Sequence, residues 1–269
     1  MRTYAEHYNE CRNRANFTSS VKSPYSSVYD LSLDTDFLSV DDEYHRVVEQ
    51  VSKKITHKIN INEGCYHRKF ATYLNDWRDI TELSDLANII IPQIEQKVFH
   101  SHAQIEFLMP YRNLTFTEEP LASWLWHYDD CPREFIKFAL YLNDTTEDNG
   151  CMQYMSDPDG RVPIMNTYRL SPHQATRKQV FPGSRIPSDF IETLDQSNIK
   201  PRNLVGPRGT YALFTPNVIH RATIPKPEAT PREAIFFFVR PSLEKSSSYI
   251  NGRVHSVLPE RNVKQYELV

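Results

Sequence analysis

WHYDDCPREFIKFALYLNDTTEDNGCM, residues 126–152, is the stretch whose reading decides the fold. Its middle, FIKFALYL at 135–142, is apolar on both phases of a two-residue alternation, which suits a strand covered on both faces. TTEDNG follows, and Asn149–Gly150 is a strong hairpin signal leading into CMQYM. Ahead of that strand, His127 and Asp129 lie two apart in an extended segment. Alternation puts both on one face while Tyr128 points away. A second stretch, TPNVIHRAT at 215–223, carries His220 to the end of another apolar run. Two imidazoles and one carboxylate on one side of a metal ion leave three coordination positions free, a donor set suited to iron.

Outward from these stretches, the period of the apolar residues divides the chain. Residues 41–59 place Tyr44, Val47, Val48, Val51 and Ile55 at helical spacing, with Ser39 or Asp41 available as a cap. A second helix is predicted from about Thr81, with Ile80, Leu83, Leu86, Ala87 and Ile90 apolar and Pro92 interrupting it. The first forty residues are polar and rich in Ser and Tyr, an arm over the domain. Beyond residue 100 the period falls to two: Ala103, Ile105, Phe107 and Met109 alternate with polar neighbours as in a strand. Residues 211–214 and 234–239 add strands, and 156–208, rich in Pro, Ser and Asp, reads as a long irregular insertion with a short helix near 187–196. The expected architecture is a single domain over 1–269. Residues 1–100 form a mostly helical arm and buttress, 101–240 a jelly-roll core holding the insertion, and 241–269 a C-terminal tail. Its class is mainly β with flanking helices: a double-stranded β-helix (jelly roll, cupin-like) core with a helical N-terminal part.

Bulk properties remove other classes. Thirty-one Lys and Arg against 34 Asp and Glu leave a formal charge of −3, so neither nucleic acid nor an anionic membrane is an expected partner. No apolar run is long enough to span a bilayer, and the first residues lack the apolar core of a secretory signal. Four cysteines, at 11, 65, 131 and 151, show no paired spacing; the expectation is a cytoplasmic protein with reduced thiols.

His-x-Asp is a weak signal alone, since a chain with ten histidines yields such triplets by chance. His127 would then be one more ring beside Trp124, Trp126 and Tyr128, and His220 a core histidine bonded to a carbonyl. Arg232 tips the balance. It precedes a strand in which Ala234, Phe236 and Phe238 share its face, so its charge points inward and needs a partner. A hairpin through KPEATP at 226–231 would set it on the strand next to His220, where its two-pronged guanidinium would suit a dicarboxylate ligand.

Together these residues resemble the iron(II)- and 2-oxoglutarate-dependent dioxygenases. WHYDD at 126–130, FALYLNDTTEDNGCMQYM at 138–155, GTYALFTPNVIHRAT at 209–223 and PREAIFFFV at 231–239 look most like the phytanoyl-CoA dioxygenase family. The resemblance covers about residues 104–240. It departs from the family pattern at SDPDG, 156–160, where relatives carry Gly-Ser-His. It implies a double-stranded β-helix, with Fe(II) on His127, Asp129 and His220 and Arg232 on the distal carboxylate of 2-oxoglutarate. It also implies O2 as co-substrate, with release of succinate and CO2. Related halogenases replace the carboxylate ligand by a small residue to admit chloride, so Asp129 implies hydroxylation of a small organic molecule.

Three further expectations are weaker. Lys137 shares the phase of Ala139 and Tyr141. It is either a second 2-oxoglutarate contact, as in some relatives, or a lysine that faces outward or snorkels. Thr223 either bonds a 2-oxoglutarate oxygen or shapes its turn. In the insertion Arg169, His173, Arg177, Lys178 and Arg185 occur with no acidic residue between Asp159 and Asp189. Arg177 and Lys178 are therefore candidates for binding an anionic substrate, against the alternative of a solvated loop. His100 and His102 are expected to be structural. The rival functions are a cupin-type metalloenzyme that does not use 2-oxoglutarate, which has no need of Arg232, and a non-enzymatic jelly-roll binding module.

Overall fold

The computed structural model describes residues 3–15, 23–115, 120, 122–129, 131–165, 181–252 and 254–256. In chain order the elements are helix α1 (Tyr4–Ala15), strand β1 (Leu33–Asp34), helix α2 (Asp42–Asn60), strands β2 (Cys65–Arg68) and β3 (Ala71–Leu74), helix α3 (Glu82–Ile94) and strands β4 (His102–Asn113), β5 (Ile136–Tyr141) and β6 (Met152–Ser156). Helix α4 (Ser188–Gln196) and strands β7 (Lys200–Leu204), β8 (Tyr211–Phe214), β9 (His220–Ala222) and β10 (Glu233–Ser242) complete them. They form a jelly roll: a seven-stranded sheet in the order β1-β8-β5-β10-β4-β3-β2 faces a three-stranded sheet, β7-β6-β9. Every pairing between these strands is antiparallel.

Helices α2 and α3 arise from their apolar stripes. α2 buries Tyr44, Val47, Val48, Val51, Ile55 and Ile59, and the Asp41 carboxylate caps it by accepting the Tyr44 amide at 2.9 Å. α3 buries Leu83, Leu86, Ala87, Ile90, Ile91 and Ile94. Pro92 does not end it. The helix runs through the proline and widens into a π turn at Glu95–Phe99, because one missing amide costs less than exposing the stripe that continues through Val98 and Phe99. Helix α1 and the β2–β3 hairpin are additions to the sequence reading. α1 buries only Tyr8 and Cys11, too few positions for a periodic signal.

The larger sheet is covered on both faces. Ile136, Phe138 and Leu140 of β5, Leu213 of β8 and Ile235, Phe237 and Val239 of β10 pack against the helices. Ala139, Tyr141, Ala212, Phe214 and Ala234 alternate with them and face the barrel interior. β4 changes phase midway. Phe238 pairs with Phe107 but Val239 pairs with Ile105, which leaves Glu106 as a bulge. Ala103 and Ile105 therefore face the helices, whereas Met109 and Tyr111 face the barrel; one uniform alternation along 103–109 does not hold.

Two expected hairpins are crossovers instead. The Asn149–Gly150 turn joins β5 in the larger sheet to β6 in the smaller one. KPEATP likewise carries the chain from β9 in the smaller sheet to β10 in the larger, so His220 and Arg232 are not on adjacent strands. A turn can meet its local conformational demand equally well between sheets as within one. Residues 200–204, inside the stretch read as an irregular insertion, form strand β7 paired along β6. Helix α4 falls where a short helix was expected. Its Phe190, Ile191 and Leu194 pack with Trp126, Tyr128, Met155, Ile186 and Ile219, so it backs the outer face of the smaller sheet.

Among the described residues no helix is long and apolar enough to cross a membrane.

Candidate metal centre

The smaller sheet is widened by single bridges beyond β9. His127 pairs with His220 on one side and with Arg185 on the other. His127 and His220 exchange both backbone bonds, at 3.0 and 2.9 Å, which fixes them directly opposite with side chains on one face. Their rings stand 4.3 Å apart between centroids. Asp129 follows two residues after His127 on the same face, its amide tied to the Pro216 carbonyl at 2.8 Å. Trp126, Tyr128 and Ile219, the alternate residues, lie in the outer cluster against α4. The alternation read from HYD thus holds in space. The three candidate ligand atoms lie within 4.8 Å of one another, as one divalent ion requires.

Backbone contacts also set which ring nitrogen faces the site. His127 Nδ1 lies 2.8 Å from the Leu125 carbonyl, and His220 Nδ1 lies 2.8 Å from the Val218 carbonyl. A carbonyl only accepts, so both Nδ1 atoms carry the proton and both Nε2 lone pairs are left for a metal. Burial, His220 and Arg185 push His127 well below the ordinary histidine range, although Asp129 and the Leu125 contact raise it. Burial likewise takes His220 down to about 4, against the raising effect of Asp129. Burial alone would raise the Asp129 carboxyl. The Lys137 ammonium and the two imidazoles more than offset it and hold the carboxyl well below the usual range. Two neutral imidazoles and an ionised carboxylate are the protonation states that metal ligation needs.

Lys137 neither faces outward nor snorkels. It projects from β5 into the barrel, 4% exposed, and donates to Asp129 Oδ2 at 2.6 Å. The rings of Phe214, Phe236 and Phe238 surround its ammonium at 5.3, 4.7 and 4.8 Å. Thr223 donates its hydroxyl to the Cys151 carbonyl at 3.2 Å, tying the end of β9 to the start of β6. Arg177 and Lys178 lie outside the described residues.

Arg232 is 2% exposed and faces the barrel interior, as its phase predicts. Its Nη2 donates to the Tyr111 hydroxyl at 2.9 Å and reaches Asn113 Oδ1 at 3.5 Å. The guanidinium lies 5.5 Å from both the Tyr111 and Tyr141 ring centroids. Its Nε has no hydrogen-bond partner, and no carboxylate pairs with it among the described residues. Its backbone is held by the Asn149–Gly150 turn, whose Asn149 carbonyl accepts the Arg232 amide at 2.9 Å. The turn read as a hairpin signal is therefore the cradle of the arginine. Tyr111, Asn113 and Tyr141 were not singled out in the sequence; only their shared inward phase on β4 and β5 could have found them.

The donor set fits a divalent metal, and the buried guanidinium with an orphaned Nε fits a carboxylate entering the barrel from the metal side. A family model described as phytanoyl-CoA dioxygenase (PhyH) matches residues 40–225. No curated protein matches by sequence. Among solved structures, EctD from S. alaskensis with bound Fe is similar at 14% identity, with 90% of this chain and 85% of that one covered and a TM-score of 0.46. HygX from Streptomyces hygroscopicus with nickel and 2-oxoglutarate bound is similar at 12% identity, covering 81% and 86%, with a TM-score of 0.45. The epimerase SnoN in complex with Fe3+, alpha ketoglutarate and nogalamycin RO is similar at 11% identity, covering 88% and 84%, with a TM-score of 0.44.

Proposed function

The chain belongs to the phytanoyl-CoA dioxygenase family and is an iron(II)- and 2-oxoglutarate-dependent oxygenase, and from that premise we propose that it hydroxylates a small organic substrate. One observation supports this best. Three side chains that can close on one ion share a barrel with a buried arginine that has no carboxylate partner among the described residues. His127 Nε2, Asp129 and His220 Nε2 would hold the iron on one face and leave the opposite face for co-substrate and O2. Arg232 would take the distal carboxylate of 2-oxoglutarate through its free Nε and an adjacent Nη.

Bound iron with 2-oxoglutarate supplies the oxidising power, with succinate and CO2 released. The chain's own residues do the rest. Lys137 bonds Asp129 Oδ2, the oxygen that lies 3.6 Å from His220 Nε2, and so fixes the carboxylate beside the two imidazoles; we assign it there rather than to 2-oxoglutarate because that is the hydrogen bond it makes. Tyr111 and Asn113 aim Arg232. Phe214, Phe236 and Phe238 line the interior and exclude water from the reacting face. Asp129 fills the position that a halide-using relative would leave open, which favours hydroxylation. Thr223, with its proton committed to Cys151, would shape the strand end and at most accept a bond from the co-substrate side. We place the chain as one domain over 1–269, with 1–100 as arm and buttress, and in the cytoplasm, on its unpaired cysteine spacing.

Anaerobic addition of Fe(II) and 2-oxoglutarate to the metal-free chain should produce the weak visible charge-transfer band of the chelate. His220→Ala should abolish it, and Arg232→Gln should raise the 2-oxoglutarate dissociation constant at least about tenfold, the loss expected of a charged bond. No band from the wild-type chain, or a band that survives in His220→Ala, would remove the assignment.

A further inference from the structure

On the inner face of the smaller sheet a row of residues crosses three chain segments: His220, His127 and Arg185. The bonds flanking His127 and Arg185 run from the Ile186 amide to the Trp126 carbonyl at 2.8 Å and from the Tyr128 amide to the Ser184 carbonyl at 3.3 Å. His127 and Arg185 therefore occupy a non-hydrogen-bonded position, where opposite Cα atoms approach to about 4.5 Å. The pleat gives the direction of the side chain. Ile186 packs outward with Trp126, Tyr128 and Ile219, so Arg185 turns toward the metal ligands. Arg185 is half-buried, and among the described residues its guanidinium makes no hydrogen bond and no ion pair.

Charge shows what this cation lacks. An iron(II) ion on Asp129 leaves one positive charge, and a 2-oxoglutarate dianion on Arg232 leaves one negative charge, so the two remainders cancel. Among the described residues, Lys137 and Arg185 are then the cations left on the inner face near the ligands. Lys137 bonds Asp129 directly, whereas among the described residues Arg185 has no carboxylate within bonding distance. A half-buried guanidinium beside a metal centre is costly to leave unpaired.

We propose that Arg185 is a substrate-binding residue that anchors a carboxylate, so that the substrate is a small organic acid whose reacting C–H lies only a few bonds from its acid group. This rests on the oxygenase reading above. A single planar fork matches the two oxygens of one carboxylate, whereas a phosphoryl dianion would call for further donors. Because Arg185 is one strand away from His127, the anchored group would lie beside the metal ligands, with its adjacent carbons directed toward them.

The anaerobic Fe(II)–2-oxoglutarate complex of the whole chain is titrated with propionate, hexanoate and phenylacetate, each against its neutral amide, following the shift of the charge-transfer band. The expected result is that at least one acid binds about tenfold or more tightly than its amide. R185Q should erase that preference and R185K should restore part of it, with 2-oxoglutarate affinity within about twofold of wild type in both. Formation of the band by each variant reports an intact site. Equal binding of acids and amides by the wild-type chain, or a preference that persists in R185Q, overturns the proposal. A tenfold loss of 2-oxoglutarate affinity in R185Q also overturns it, because Arg185 would then serve the co-substrate's own carboxylate. Absence of the band from the wild-type chain is a different failure, that of the oxygenase reading.

Discussion

At the scale of single residues, the site depends on side chains whose geometry is fixed by backbone partners. His127 and His220 each spend Nδ1 on a carbonyl two residues back, so neither ring can turn over without breaking a bond. Asp129 is fixed by Lys137, and that contact can be tested apart from the ligands. Lys137→Met keeps the length and the apolar stem but removes the charge that holds Asp129. Metal affinity, measured by Co(II) or Fe(II) titration, should fall about tenfold to a hundredfold, as when the outer partner of a metal ligand is lost. Unchanged metal affinity with weakened 2-oxoglutarate binding would return Lys137 to the role of a co-substrate contact. HYD and the distant histidine were legible in sequence because alternation is a local rule. The direction of Lys137 was not, since a lysine in a strand apolar on both phases carries no sign of which face it occupies.

At the scale of elements, turns and bulges decide what faces the barrel. Gly150 has φ +92°, and a Cβ there would lie 2.8 Å from Asn113 Nδ2 and 2.9 Å from Pro225 Cγ. Asn113 in turn contacts Arg232, and Asn149 holds the Arg232 backbone. Gly150→Ala should therefore cost about 2–4 kcal/mol of stability from left-handed strain plus overpacking, read by denaturant unfolding. It should also weaken 2-oxoglutarate binding while leaving metal affinity near wild type, since the triad lies on other elements. Equal loss of both affinities would mean that the turn supports the whole barrel instead. The Glu106 bulge belongs to the same scale. It reverses the phase of β4 and so brings Tyr111 inward to Arg232, something no residue in SHAQIEFLMPY announces.

At the scale of the whole molecule, the two sheets differ in support. The larger one is packed on one face by three helices and on the other by the barrel interior. The smaller one has three short strands, is widened by single bridges, and is backed by α4 alone among the described helices. Stability should follow that asymmetry. In hydrogen exchange on the metal-free chain, amides of β6, β9 and the 126–129 segment should exchange faster than those of β5 and β10. Fe(II) with 2-oxoglutarate should slow the first group, because an ion joining His127, Asp129 and His220 ties two segments together. Equal protection of both sheets before and after loading would contradict this. Removing the α4 support with Phe190→Ala should speed exchange in the smaller sheet before the larger one responds.

By itself the sequence determined the class of fold, the helical buttress, the alternation that sets His127 and Asp129 on one face, and the identity of the three metal-binding candidates. All of these follow from period, capping and residue chemistry, which act over a few neighbouring positions. Only the tertiary structure decided that the Asn149–Gly150 turn and KPEATP pass between sheets, that β7 completes the smaller sheet, and that Arg185 stands beside His127. Strand pairing across some sixty residues depends on which apolar faces can be covered together, and that is a property of the assembled core rather than of any local run.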